Sequence, residues 1–178
     1  AYVNRGVAKR SIEDYRGAIN DYDKAIEINP DDADAYYKRG YAKNRREDYR
    51  GAIQDYNNAI EINPNDAAAY ANRGITKGNL KDYRGEINDY TAAIEINPSY
   101  AEAYLFRGVR KFSFKDYLGA IQDYSKAIEI NPNFALAYSG RGFVKLLLND
   151  KDGACLDWSK AGELGYMDAY DFIKKYCR

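Results

Sequence analysis

Apolar and polar positions alternate along this chain with the period of an amphipathic α-helix. In one stretch the apolar residues fall at i, i+3, i+4, i+7, i+10 and i+11, namely Tyr49, Ala52, Ile53, Tyr56, Ala59 and Ile60. This spacing places all six side chains on one face of a helix. Because a short helix pair cannot bury such a face by itself, the pattern predicts that neighbouring pairs stack against one another.

The helical pattern returns every 34 residues along the chain. The four prolines have this spacing, and each ends an Ile-Asn-Pro tripeptide: Pro30, Pro64, Pro98 and Pro132. One glycine column repeats with the same step: Gly6, Gly40, Gly74, Gly108 and Gly142. Tyrosine also recurs in three such columns, which explains why the chain contains 19 tyrosines but only 6 phenylalanines. A fixed step of this length is typical of stacked two-helix repeats.

Each 34-residue unit predicts two helices. In the third unit, Asn65 or Asp66 can cap a first helix from 67 to about 79, because short polar side chains accept hydrogen bonds from the free N–H groups at a helix start. Asp82 can cap a second helix from 83 to about 96 in the same way. The second helix ends there because the residue before a proline disfavours the α-helical conformation.

These columns resemble the tetratricopeptide repeat family. The step of 34, the aromatic residue and following glycine of the first helix, the alanines and aromatic residue of the second helix, and the closing proline all match the family pattern. The resemblance covers residues 1–168 as five repeats: 1–32, 33–66, 67–100, 101–134 and 135–168. It implies an all-α, right-handed α-solenoid (superhelix) of helix-turn-helix repeats, closed by a C-terminal capping helix over residues 169–178.

Three columns that are usually apolar in the family are charged in this chain. Each unit carries an Arg and, four residues later, a Lys on the first helix, and an Asp on the second helix. Residues four apart share a helix face, and the resemblance places the Asp column opposite them. We therefore predict one structural Arg–Asp pair per unit, with bidentate geometry that fixes the angle between the two helices. The predicted pairs are Arg5–Asp21, Arg39–Asp55, Arg73–Asp89, Arg107–Asp123 and Arg141–Asp157. A ladder of Arg side chains that binds an acidic ligand is the disfavoured alternative, because every Arg is matched by an Asp.

Ligands of the family usually lie in a concave groove lined by the first helices. The resemblance places these residues in the groove: Tyr37, Tyr41, Asn44, Ile75, Leu105, Val109, Phe112, Phe143 and Leu146. The predicted groove becomes more apolar toward the C-terminal end, and contiguous apolar patches usually mark interfaces. We therefore expect it to bind an apolar or aromatic peptide or a partner helix. The alternative is that some of these side chains only pack against the next helix, including the cap.

These features predict a non-catalytic protein–protein interaction scaffold or adaptor. The expected partner is a protein or a peptide, but not a chaperone tail, because the Lys/Asn/Arg carboxylate clamp of some family members is absent from the matching positions. Two alternatives stay open at this point. The same face could support homo-oligomerisation, or the chain could be the targeting domain of a larger protein.

Composition removes several other classes of function. The chain has no His, which excludes His-metal sites and Ser-His or Cys-His nucleophile pairs. It also lacks a phosphate loop, so we predict no enzyme activity and no cofactor. Because 27 Lys and Arg balance 27 Asp and Glu, no basic surface favours nucleic acid. The absence of an 18-residue apolar run argues against membrane insertion.

The two cysteines leave the cellular compartment open. Cys155 occupies a column of otherwise apolar second-helix residues, and Cys177 lies in the predicted cap helix beside it. A disulfide between them would tie the cap to the array and imply an oxidising, extracytoplasmic compartment. Two buried free thiols are the interpretation that we favour slightly, and with it a cytoplasmic location.

Overall fold

A computed structural model describes residues 1–177, and in this range the chain forms eleven α-helices and no strand. The first helices of the five repeats are α1 (Tyr2–Ser11), α3 (Ala33–Arg45), α5 (Ala67–Asn79), α7 (Ala101–Ser113) and α9 (Ala135–Leu147). The second helices are α2 (Tyr15–Ile28), α4 (Tyr49–Ile62), α6 (Tyr83–Ile96), α8 (Tyr117–Ile130) and α10 (Lys151–Glu163). The last helix is α11 (Asp168–Tyr176). The predicted all-α repeat fold is confirmed.

An aspartate caps the N-terminus of the second helix in each of the five repeats. The N–H group three residues later donates to its Oδ1 at 2.9–3.0 Å, and this N–H always belongs to a glycine. A Cβ on these glycines would lie only 2.1–2.3 Å from Oδ2 of the same aspartate. The cap therefore leaves no room for a side chain at these positions, which explains a second column of glycines with the 34-residue step: Gly17, Gly51, Gly85, Gly119 and Gly153. The aspartates are Asp14, Asp48, Asp82, Asp116 and Asp150.

The turn between the two helices of a repeat is the same in all five repeats. Its residue before the capping aspartate has a positive φ of 61–64° although it is never glycine. The residues are Glu13, Glu47, Lys81, Lys115 and Asn149. In each turn the N–H of the aspartate returns to a first-helix carbonyl at 2.9–3.0 Å, as from Asp14 to Lys9. This closing bond stabilises the left-handed conformation at the helix end.

The helices form two compact units, the first over residues 1–96 and the second from Asn97 onward. In the first unit each helix packs on the next one along the chain, and the core consists of small alanines around the second-helix tyrosines. Tyr22, Tyr56 and Tyr90 are completely or almost completely buried. In the second unit Tyr124 and Trp158 take the same places.

The C-terminal helix α11 packs on α10. Phe172 of α11 lies with its ring centroid 4.5 Å from Phe143 and 5.6 Å from Trp158. Ala169, which opens the predicted cap, is fully buried. Position 178, the last residue of the predicted cap, lies outside the described residues.

Cys155 and Cys177 form a disulfide, with their Cα atoms 5.8 Å apart. The expectation of two free thiols is therefore wrong. The packing of α11 on α10 brings the two side chains together. Both cysteines are half-buried. The bond adds a covalent link to the aromatic contacts that hold α11 in place.

Candidate functional site

The charged columns form the same ionic cluster in every repeat. The Arg donates from Nε at 2.9–3.0 Å and from Nη2 at 2.5–2.7 Å to the two carboxylate oxygens of its Asp. The Lys of the first helix lies 2.8–2.9 Å from the same carboxylate. The structure thus brings together all five predicted Arg–Asp pairs, Arg5–Asp21, Arg39–Asp55, Arg73–Asp89, Arg107–Asp123 and Arg141–Asp157.

The aspartates of these clusters are buried, while the cations reach toward the surface. The Asp side chains are 1–6% exposed. Hydrogen bonds from the Arg5 guanidinium hold the pKa of Asp21 well below its usual range. A buried carboxylate that already accepts three charged hydrogen bonds has little capacity for a further ligand. The clusters therefore join the two helices of a repeat and are not an acid–base or anion-binding centre.

Arg39, Arg73 and Arg141 also link their own repeat to the repeat before it. Nη1 of Arg39 donates to Asp23 at 2.7 Å, and the equivalent nitrogens of Arg73 and Arg141 donate to Asn57 at 2.7 Å and Ser125 at 3.0 Å. Each guanidinium also lies 5.1–5.6 Å from the ring centroid of the tyrosine three residues earlier. Sequence reasoning missed this link, although the column of short polar residues 16 positions before the Arg was a signal for it.

The predicted groove residues of the first unit lie on the faces of α3 and α5, which we call the first-helix wall of this unit. Tyr37, Tyr41 and Asn44 are half-buried, and Ile75 is 38% exposed. Polar contacts fix the half-buried residues. Tyr37 accepts a hydrogen bond from Asn72 at 3.1 Å, Asn44 donates to Thr76 at 2.6 Å, and the Arg10 guanidinium lies 5.2 Å from the Tyr41 ring centroid.

In the second unit the first-helix wall is the exposed part of α7. Val109 is 43% exposed, and Phe112 is half-buried with its ring centroid 5.9 Å from Tyr117. Leu105 lies on the same helix but is only 4% exposed and belongs to the core around Tyr124. Leu105 is therefore a core residue beneath the wall surface, and its side chain is too buried to contact a ligand directly.

The side chains of the other two predicted groove residues of the second unit pack against the C-terminal helix α11 and its neighbours. Phe143 lies between Trp158, at 5.2 Å, and Phe172, at 4.5 Å between ring centroids. Leu146 packs against the same C-terminal cluster. Both side chains thus follow the alternative in which a wall residue only packs against the cap helix. Of the predicted groove residues of the second unit, Val109 and Phe112 are the ones that stay on the open wall.

Within residues 1–177 the structure contains no helix that combines the length and apolarity needed to cross a lipid bilayer. In the same range no three His, Cys, Asp or Glu side chains are grouped in a way that could hold a metal ion.

Three sequence models of one family match the chain. A model described as TPR repeat matches residues 6–45 and 111–149, and two models described as tetratricopeptide repeat match residues 33–66 and 55–87. Together these matches span more than half of the chain. A search of curated proteins finds no match.

Solved structures of the same fold cover nearly the whole chain. The crystal structure of MamA has 27% sequence identity and a TM-score of 0.84, with 93% of this chain and 96% of MamA covered. YrrB, described as a TPR protein with an unusual peptide-binding site, has 22% identity and a TM-score of 0.80, covering 97% and 90%. PilF of Pseudomonas aeruginosa has 17% identity and a TM-score of 0.84, covering 92% and 75%.

Proposed function

Because the chain belongs to the tetratricopeptide repeat family, we propose that it is a non-catalytic scaffold that binds a peptide or partner helix on its first-helix walls. The fold is that of protein-interaction scaffolds. The observation that supports this proposal is that the charged columns are already paired, while apolar side chains on the first helices stay exposed. The side chains of the Arg, Asp and Lys columns bind one another or the neighbouring repeat, whereas Ile75 and Val109 remain 38% and 43% exposed on the first helices.

The chemistry of the walls favours an apolar or aromatic ligand. Each exposed aliphatic residue is accompanied by aromatic side chains, Tyr37 and Tyr41 in the first unit and Phe112 in the second. Half-buried aromatic residues held by their neighbours contribute contact area at a small cost in conformational entropy, which is typical of binding hot spots. YrrB, whose description includes a peptide-binding site, supports a peptide as the form of the ligand.

Selection from a displayed peptide library on the intact protein would test this proposal. Dissociation constants of the selected peptides would then be compared for Ile75→Asp, Val109→Asp and the control Leu80→Asp. Leu80 is exposed to the same 43% as Val109 but lies in the turn between α5 and α6. We expect a wall variant to weaken binding at least about tenfold, since a desolvated charge opposes the apolar contact, and the control to bind normally. Equal affinities for all three variants would contradict the proposal.

Self-assembly is a second candidate, favoured by exposed leucines of the second unit. Leu118 and Leu156 on the second helices are 70% and 73% exposed, and Leu147 is 53% exposed. Large exposed apolar side chains in one unit favour association. A light-scattering mass that rises with protein concentration, and returns to the monomer value in Leu118→Asp/Leu156→Asp, would support this candidate. A constant monomer mass would rule it out.

The disulfide favours an oxidising, extracytoplasmic compartment for this protein, because such bonds persist in those environments. Alkylation of the protein taken directly from its cells, followed by mass measurement, would test this inference. Two alkylated cysteines would contradict it, whereas their protection from alkylation until reduction would support it.

A further inference from the structure

The connection between α10 and α11 departs from the repeat pattern. The four earlier connections from a second helix to the next first helix carry Asn-Pro, but this one carries Gly165 and Tyr166 in the same columns. Gly165 has a φ of 92°, a conformation that favours glycine, and a Cβ built on it would meet no described atom within 4 Å. Proline fixes the backbone, whereas glycine leaves it free. The connection to α11 therefore has the properties of a hinge.

Both cysteines also stand in columns that hold no cysteine in the other repeats. Cys177 takes the column of Phe143, and Cys155 takes a column of isoleucines on the second helices. Like Cys155, these isoleucines are all half-buried, although a further repeat follows each of them. The partial exposure of Cys155 is thus a property of its column. The isoleucines are Ile19, Ile53, Ile87 and Ile121.

The disulfide borders a cleft of about 470 Å³. Cys155, Leu156 and Ser159 line the cleft on the α10 side, and Ile173 and Cys177 line it on the α11 side. Leu156 is 73% exposed, so its side chain does not close the cleft. Exchange at a disulfide requires that a thiolate reach one of the two sulfur atoms. The cleft gives an incoming thiol this path.

An aromatic surface lies beneath α11. The ring centroid of Phe172 is 4.5 Å from that of Phe143 and 5.6 Å from that of Trp158, and Tyr176 lies 5.7 Å from Trp158. Leu146 belongs to the same cluster. Helix α11 has nine residues, and isolated helices of this length are marginal in water. Its helical form therefore depends on the contacts with this surface.

We propose that the Cys155–Cys177 bond is a site of reversible thiol–disulfide exchange with a dithiol reductant, and that its reduction promotes the release of α11. In the oxidised protein the bond and the aromatic contacts hold α11 together. After reduction the contacts alone hold it, and Gly165 allows the helix to move away. The oxidised form thus hides Phe143 and Leu146, whereas the reduced form makes them accessible.

The exchange is balanced without a further reactant. A thiolate of the reductant attacks one sulfur atom, the S–S bond breaks, and the other cysteine leaves as a thiolate that takes up a proton. The second thiol of the reductant, as a thiolate, then attacks the mixed disulfide and releases the first cysteine in the same way. The reductant loses two electrons and becomes a disulfide, and its two protons end on Cys155 and Cys177.

The uncovered surface fits an apolar partner helix that carries two aromatic residues four positions apart. Helix α11 itself shows this chemistry, because Phe172 and Tyr176 have this spacing and both contact Trp158. Residues four apart share one face of a helix. This step rests on the proposed function, since it adds a redox-controlled section to the surface that binds peptides.

Amide hydrogen exchange of the intact chain, measured before and after treatment with dithiothreitol under native conditions, tests the release. We expect the α11 amides to exchange at least about tenfold faster after reduction, because a cross-link restricts the open state by at least this factor. The amides of α3 and α4 are the internal control and should be unaffected. Trp158 is the only tryptophan and is fully buried, so acrylamide should quench its fluorescence more strongly after reduction. Cys155→Ser/Cys177→Ser should match the reduced protein with and without dithiothreitol.

A labelled peptide with the sequence of residues 166–177, carrying Ser in place of Cys177, serves as the partner helix. Its apparent dissociation constant for the intact chain should be at least about tenfold lower after reduction, because the surface is open in a larger fraction of molecules. The matched control peptide also carries Phe172→Ala and Tyr176→Ala, and it should not bind in either state.

Four outcomes would overturn the proposal. The first is a disulfide that dithiothreitol reduces only after denaturation. The second is a reduced protein with unchanged α11 exchange and Trp158 quenching, and the third is equally accelerated exchange in α3 and α4, which would make the bond a support of the whole fold. The fourth is equal binding, or no binding, of the peptide in both states. Failure of the wall variants with accelerated α11 exchange would contradict the proposed function and leave the exchange site in place.

Discussion

Removal of one buried aspartate should destabilise the protein by an amount that depends on the repeat. Asp55 is 1% exposed and accepts hydrogen bonds from Arg39 at 2.6 and 3.0 Å, and Lys43 lies 2.8 Å away. In Asp55→Ala both cations, which are 16% and 20% exposed, lose this partner. Breaking one side of a buried ion pair costs roughly 3–5 kcal/mol. Because Arg39 keeps Asp23, we expect a loss at the lower end, about 3 kcal/mol.

The same substitution in the first repeat provides the comparison. In Asp21→Ala the cations left behind are Arg5, 56% exposed, and Lys9, 32% exposed. Water can solvate both side chains, so this variant should lose clearly less stability than Asp55→Ala. The two substitutions are chemically identical. The sites differ in the burial of the remaining cations, which makes Asp55→Ala more costly, and in the second partner Asp23 that Arg39 keeps, which offsets a part of that cost.

Urea unfolding followed by circular dichroism measures both effects, with the free energy of unfolding obtained by linear extrapolation. The slope of the unfolding curve should stay unchanged, which would show that the variants unfold with the same cooperativity. If Asp55→Ala lost no more stability than Asp21→Ala, the explanation of the clusters as buried helix-to-helix links would be refuted.

The remaining predictions concern pH, packing and the disulfide. The pKa of Asp21 is lowered in the folded protein, so its carboxylate stabilises the fold above its unfolded pKa of about 4, and this contribution should be lost as the pH falls below about 4. The urea midpoint of Asp21→Asn should therefore fall less steeply with decreasing pH than the midpoint of the unchanged protein. An equally steep fall would contradict this prediction. A Cβ on Gly142 would lie 2.8 Å from Nε1 of buried Trp158, so Gly142→Ala should lower the free energy of unfolding by about 1–2 kcal/mol, even after its gain in helix propensity. At Gly74 the nearest atom to such a Cβ is 3.3 Å away, so Gly74→Ala should be close to neutral in the same urea assay. Reduction of the Cys155–Cys177 bond, which closes a separation of 22 residues, should lower the unfolding free energy by about 3 kcal/mol; a Cys155→Ser/Cys177→Ser variant should not respond to reductant, and a response would show that the reductant acts elsewhere.

Local chemistry explains why the sequence predicted the helices so closely. The expected helices of the third repeat, 67–79 and 83–96, coincide with α5 and α6. Asp66 and Asp82 cap them through hydrogen bonds to N–H groups two or three residues away. Such caps and the proline stops act within a few residues, so they can be recognised without knowledge of the packing.

The exposure of the wall residues could not be predicted in the same way. The 34-residue period places Tyr37 and Leu105 in one column, yet Tyr37 is half-buried and Leu105 is 4% exposed. The difference arises because exposure depends on which side chains the neighbouring helices present, as with Phe172, which covers Phe143. The column identifies a face of the helix, but the packing around each helix determines whether that face is open.

The most direct test of the function is to map a bound peptide by NMR on the intact protein. A selected peptide should shift the signals of Ile75, Val109 and Phe112, while the guanidinium signals of Arg39 and Arg73 stay at their free positions, because their hydrogen bonds are already made to partners within and between the repeats. Shifts concentrated on those guanidinium groups, with unchanged wall residues, would show that the Arg ladder binds the ligand and would contradict the scaffold proposed here.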